Sequence, residues 1–133
     1  MIGCSRTHSK EIDIYNKPFP EKIARIKAMK EEGNKHYKNN ELDKASYYYA
    51  QALLVFHYLI PDSPEEEKES SELKRTCHLN QSICFFKQSR HKEALNEINQ
   101  ALKIMPGDPK ALYRRAQIHI KTTEFELAKS DIK

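Results

Sequence analysis

The chain has 133 residues, the length of one domain, with 38% hydrophobic and 32% charged side chains, a balance that suits a thin, elongated architecture better than a thick-cored globule. Three glycines and no tryptophan leave little material for the tight hairpins of an all-β fold. The net charge of +4 is only mildly basic and gives no electrostatic case for a nucleic-acid partner.

Residues 1–20 carry no sustained periodicity, and Pro18 and Pro20 oppose a helix there, so this stretch is expected to be a flexible lead-in. From Glu21 to Lys38, Ile23, Ile26, Met29, Gly33 and Tyr37 recur at spacings of three and four, one face of an amphipathic helix. Asn39 and Asn40 break it, and Asn40 is expected to cap a second helix carrying Leu42, Ala45, Tyr49, Ala52, Leu53 and Phe56, which ends by Pro61. Ser63, Pro64 and Glu66 form a capping box that starts a long third helix near Pro64, running to about Gln88. Leu73, Cys77, Leu79, Ile83, Phe85 and Phe86 supply its apolar side. A fourth helix spans His91 to Ile104, with Ala94, Ile98, Ala101 and Leu102 inward.

Met105-Pro106-Gly107-Asp108 is a breaker, after which Asp108 caps and Pro109 opens a fifth helix with Leu112, Ala116 and Ile120 inward. Thr123 and Glu126 form a further capping box, which predicts a sixth helix. The apolar residues Phe125, Leu127 and Ile132 are expected to be covered by further chain or by a second copy.

Helices joined by short links pack as antiparallel neighbours. Ala94 and Ala128 stand 34 residues apart, as do Asn80 and Arg114. Ala45 fits the same frame if fifteen extra residues are placed between the second and third helices, lengthening both. The fold class predicted is all-α, a right-handed solenoid of three helix-turn-helix repeats, at about 21–60, 64–105 and 109–133, with the first pair lengthened and the last helix truncated.

A 34-residue helix-turn-helix period resembles the tetratricopeptide repeat. Gly33, Ala45, Tyr49 and Ala52 carry the pattern in the first repeat. Ser82, Phe85, Ala94, Ala101 and Pro106 carry it in the second, and Ala116 and Ala128 in the third. The stretches Met29–Lys35, Leu79–Phe85 and Lys110–Ala116 are similar to the tetratricopeptide domains of large immunophilin co-chaperones of the FK506-binding and cyclophilin types. In that family five positions form a dicarboxylate clamp, and they fall here on Lys30, Asn34, Asn80, Lys110 and Arg114. The resemblance implies a protein-interaction module whose partner is the acidic C-terminal tail of a heat-shock chaperone, ending Glu-Glu-Val-Asp, with the 90-kDa chaperone preferred and the 70-kDa one possible. It further implies that Lys30, Asn34 and Asn80 hold the terminal carboxylate, Lys110 the Asp side chain, and Arg114 a group further along the tail.

Those residue types suit the task. Lys30 and Asn34 are four apart and project from one side of a helix, and Lys110 and Arg114 repeat the spacing. In a right-handed solenoid the first helix of each pair lines the concave surface, so all five are expected to face one groove. Lysine gives a point charge, arginine a planar fork and asparagine directed neutral donors.

Other patterns are set aside. Cys77 and Cys84 read as buried structural thiols, because zinc needs paired ligands on two elements. No histidine spacing supports catalysis, no glycine-rich phosphate loop is present, and no cofactor or metal is expected. Successive helical residues point about 100° apart, so Tyr47, Tyr48 and Tyr49 cannot form one stacking platform; Tyr49 is core, and the other two are expected to pack between repeats. The apolar run 50–60 is too short and polar to span a bilayer, no signal segment precedes it, and three cysteines without one favour reduced thiols and a cytoplasmic location. The competing reading is a scaffold that binds a partner helix without a terminal carboxylate, attached in the full protein to a prolyl-isomerase domain that these residues do not contain.

Overall fold

The computed structural model describes residues 16–131, with side chains to residue 126. The lead-in and Cys4 therefore fall mostly outside the described residues, as do the side chains of Leu127, Ala128 and Ile132. Among the described residues five α-helices follow one another: α1 Phe19–Lys38, α2 Leu42–Val55, α3 Pro64–Lys87, α4 His91–Ile104 and α5 Pro109–Asp131. A 3₁₀ turn, Phe56–Tyr58, follows α2. No described residue lies in a strand.

The first helix begins two residues before its expected start. Pro20 sits in the first turn, where its missing N–H costs nothing, and the Pro18 carbonyl accepts from Glu21 and Lys22 at 3.1 Å. Ser63 caps α3 as expected, its Oγ accepting the Glu66 amide at 3.1 Å, but the return bond of the box is shifted: the Glu66 carboxylate accepts from the Asp62 amide at 2.9 Å, one residue before the N-cap.

Asn40 does not cap α2. It ends α1, with φ of 60°, while the Glu41 amide bonds the His36 carbonyl at 2.8 Å and the Asn40 amide bonds that of Tyr37 at 3.0 Å. This is a Schellman turn with asparagine in the left-handed position. Ser89 repeats it after α3, with φ of 61° and the Arg90 amide on the Phe85 carbonyl at 2.9 Å. Each turn sends the chain back antiparallel, so α2 packs on α1 and α4 on α3.

The extra residues of the first repeat do not lengthen α2, which has 14 residues, as α4 does. They occupy the link 56–63, against 105–108 between α4 and α5, and the early turns of α3. There Leu59 and Leu73 close a core with Ile23, Ile26, Ala52, Val55 and Cys77. A second core joins α3, α4 and α5 through Leu79, Ala94, Ile98, Ala101, Leu102, Ala111 and Ile118. Between them, Ala45, Tyr49 and Cys84 join α2 to α3. The alanines at 45, 52, 94 and 101 are fully buried, which lets the helix backbones approach. Gly33 serves the same purpose: a Cβ there would stand 2.5 Å from the Tyr49 ring.

The sixth helix predicted from the Thr123–Glu126 capping box is absent as a separate element, because α5 continues through it to Asp131. Thr122 Oγ1 instead bonds the Ile118 carbonyl one turn back, at 2.8 Å. The predicted inward face of α5 is corrected with it. Ala111 and Ile118 are buried against α4, whereas Leu112, Ala116 and Ile120 are exposed, since no helix among the described residues folds back over them. Tyr47 and Tyr48 do not pack between repeats: Tyr48 stacks on His36 of the same helix pair at 5.2 Å, and Tyr47 meets Tyr48 edge-on and is 58% exposed.

Candidate functional site

Three helices, α1, α3 and α5, lie first in their repeats and present polar side chains to a shared groove. The core sets the α1 wall. Tyr49 on α2 is 2% exposed, its ring lies on Gly33, and its hydroxyl donates to Asn34 Oδ1 at 2.6 Å. Burial raises the Tyr49 phenol above its ordinary range, which keeps it a neutral donor. Asn80 on α3 donates Nδ2 to the same Asn34 oxygen at 3.3 Å. With that oxygen accepting two bonds, the Asn34 Nδ2 group is the part of the amide left to donate.

Two adjoining cavities make up the groove. One, of about 430 Å³, is lined by Arg75, Thr76, Asn80, Lys110, Tyr113 and Arg114 over a floor of Leu79 and Ile83. The other, of about 410 Å³, is lined by Glu31, Asn34, Tyr37, Lys38, Tyr49, Asn80, Ile83 and Arg114. Asn80, Ile83 and Arg114 therefore form the ridge between them. Of the five residues singled out in the sequence, Asn34, Asn80, Lys110 and Arg114 line this double cavity. Lys30 lines neither part; it is half-buried on α1, and its positive charge acts on the Cys77 thiol.

The cations differ in readiness. Arg114 Nη1 donates to Gln117 Oε1 on its own helix at 3.0 Å, and its guanidinium lies 6.0 Å from the Tyr113 ring. Lys110 is exposed, and its ammonium makes no ion pair with a described residue. One acid, Glu31, stands in the wall at the α1 end. The arrangement is a cationic end at α5 beside a row of fixed amides, suited to a ligand with clustered carboxylates.

Sequence reasoning missed Arg75, Thr76, Tyr113 and Glu31. Arg75 lies five residues before Asn80, about 140° away around α3, so helical spacing did not single it out; its partner Asp108, 33 residues on, was legible only as a helix cap. The thiols conform to expectation. Cys77 and Cys84 are buried and free, and burial pushes the Cys77 thiol up to about 12 and the Cys84 thiol in the same direction. Among the described residues no cluster of His, Cys, Asp or Glu could hold a metal ion, and no helix is long and apolar enough to cross a membrane.

No family model matches the chain. Among curated proteins it is similar to the peptidyl-prolyl cis-trans isomerase FKBP4 of Homo sapiens, 29% identical over 111 residues, which are 84% of this chain and 24% of that protein. It is also similar to protein unc-45 homolog B of Danio rerio, 31% identical over 104 residues, 78% of this chain and 10% of the relative. The chain thus spans about a quarter of the length of the FKBP4 isomerases it matches. Among solved structures it is similar to the C-terminal TPR-containing domain of a Plasmodium falciparum FK506-binding protein, at 30% identity and a TM-score of 0.76, covering 88% of this chain and 78% of that one. The matches are to non-catalytic repeat domains, and the isomerase domain of such proteins lies outside this chain. The helix pairs in a 34-residue frame, the buried small residues where they cross, and this structural likeness together show that the chain belongs to the tetratricopeptide-repeat domains of the FK506-binding-protein type, a protein-interaction module.

Proposed function

We propose that the chain is a co-chaperone-type module that binds the acidic C-terminal tail of a heat-shock chaperone, ending Glu-Glu-Val-Asp. The observation that carries this reading is the groove itself, in which Asn34 and Asn80 are already hydrogen-bonded at 3.3 Å beside Lys110 and Arg114. A terminal aspartate brings two carboxylates close together. Asn34 and Asn80 would donate to the main-chain carboxylate with Lys30 beside them, Lys110 would meet the side chain, and Arg114 a group further along. Charge-assisted hydrogen bonds contribute roughly 1.5–3 kcal/mol each. Several of them, less the ordering of the tail, amount to an affinity of about micromolar. In the full protein the chain would be the peptide-binding part beside a separate prolyl-isomerase domain.

Calorimetric titration of Met-Glu-Glu-Val-Asp, as free acid and as C-terminal amide, tests the reading. The free acid is expected to bind at about micromolar affinity, more weakly at high salt, and at least about tenfold more weakly to Lys110→Ala. Absence of saturable binding, or binding that Lys110→Ala leaves unchanged, overturns it. Binding indifferent to amidation favours instead a scaffold that takes a partner segment without its terminus. Tails of the 90-kDa and 70-kDa chaperones titrated side by side rank the partners, with the 90-kDa tail expected to bind more tightly.

A further inference from the structure

The sequence leaves α5 tied to the rest of the groove by little. Its first two turns carry Lys110 and Arg114, and the opposite wall is α3 with Asn80. Both helices pack on α4 in the second core and meet each other directly over only a short stretch. A polar link between them runs through Asp108. Its side chain is 4% exposed, and its two carboxylate oxygens do separate tasks. Oδ1 accepts the Lys110 amide at 3.1 Å and so caps α5. Oδ2 takes Arg75 Nη1, from α3, at 2.6 Å. The Asp108 carbonyl also accepts the Leu112 amide at 3.0 Å. Arg75 is 22% exposed at its side chain and lines the same cavity as Asn80, Lys110 and Arg114.

We propose that Asp108 and Arg75 are positioning residues of the groove: their ion pair pins the first turn of α5 to α3, and so fixes Lys110 and Arg114 over Asn80. The chemistry supports a positioning role over a ligand-binding one for Arg75. A carboxylate this deeply buried needs a cation, and Arg75 supplies it at short range, so its guanidinium is already committed on that side. A free Lys110 beside a committed Arg75 means that the groove's available charge is delivered by α5, and its delivery point depends on the latch. The functional half of this inference rests on the tail-binding reading; the structural half stands without it.

The test uses Arg75→Gln, which removes the charge, Asp108→Asn, which keeps the Oδ1 cap and loses the ion pair, and Arg75→Lys as the conservative variant. Two readouts are taken. Amide hydrogen exchange on the ligand-free chain is expected to quicken at Lys110–Arg114 about tenfold or more in Arg75→Gln and Asp108→Asn, and to return toward wild type in Arg75→Lys. Titration of the Met-Glu-Glu-Val-Asp tail is expected to weaken about tenfold in each single variant, with the double variant no weaker than either. The same substitution placed in Lys110→Ala is expected to cost less affinity than it does in the wild-type background, because one of the two groups it positions is gone. A general loss of stability would still lower affinity in that background.

Wild-type exchange at the first turn in both single variants overturns the proposal. So does tail binding equal to wild type in Arg75→Gln, or an undiminished loss in the Lys110→Ala background. Should the wild-type chain bind no tail at all, the tail-binding reading fails alone, and the exchange measurement decides the latch. Should Arg75→Gln fail to fold by far-UV circular dichroism, Asp108→Asn and Arg75→Lys decide it.

Discussion

At the ends of α1 and α3 the chain turns through a single left-handed residue, Asn40 and Ser89, and the next helix folds back. At the equivalent place in the 34-residue frame α5 has Thr123, and the helix runs on to Asp131. All three places are followed five residues later by an alanine, at 45, 94 and 128. The difference lies in the turn residue. Asparagine tolerates positive φ through its short polar side chain and serine through its small size, whereas a β-branched threonine in that region is a strained outlier. Burial follows the turn. Gly33 and Ser82, at matching frame positions, are buried under the helices that fold back, while Ala116 in the third repeat is exposed.

The largest expected effect comes from the covered faces. Ile98→Ala, in the second core, is expected to cost about 2–5 kcal/mol in urea unfolding, because the cavity it leaves is walled on all sides. Ile120→Ala is expected to stay within about 0.5 kcal/mol, since that side chain is 58% exposed. A large cost at Ile120 would mean that another surface covers α5 in solution.

Next come the turns. Ser89→Val forces a β-branched residue to positive φ and is expected to lower stability by about 1–2 kcal/mol, read from the urea midpoint. Thr123→Gly is expected to do the converse, opening α5 at that point, with faster amide exchange over residues 122–125 and less helix by circular dichroism. If α5 stays continuous with glycine there, turn chemistry is not what separates the third repeat from the first two.

The smallest effect is absent at neutral pH. Burial holds the Cys77 thiol near 12, against 9.0 ordinarily, so the folded chain keeps its proton where the unfolded chain loses it. The neutral thiol's contribution to stability is complete below pH 9 and fades as pH rises toward 12. Wild type is expected to lose about 1 kcal/mol by pH 10 from this group, and Cys77→Ala to lack that slope.

Much of this fold was legible in one sequence because its signals are local. Ser63-Pro64-x-Glu66 announced α3, and His91–Ile104 was bounded by residues that start and stop a helix on their own. The Thr123–Glu126 capping box was equally local and still failed, because a cap lowers the cost of starting a helix but does not require the preceding one to end. What ended α1 and α3 were left-handed residues that are not glycine, a choice made in the backbone and faintly marked in composition. In the groove, Asn34, Asn80, Lys110 and Arg114 were named through the family resemblance, while Lys30, named with them, lines neither cavity. The Arg75–Asp108 pair and the Tyr49 support of Asn34 were not legible, because each joins different helices, and a spacing rule covers only one helix at a time.

The Tyr49–Asn34–Asn80 chain has a kinetic consequence. Its two amide side chains are fixed before any carboxylate arrives, one by a bond of 2.6 Å and both by a bond of 3.3 Å. In the proposed tail complex, the anion would freeze no rotors of Asn34 and Asn80 and would displace only the longer, weaker contact. Encounter would then be governed by the open charge of Lys110, and residence by the amides: salt should slow arrival of the tail, while Tyr49→Phe, which frees Asn34 to rotate, should hasten its departure.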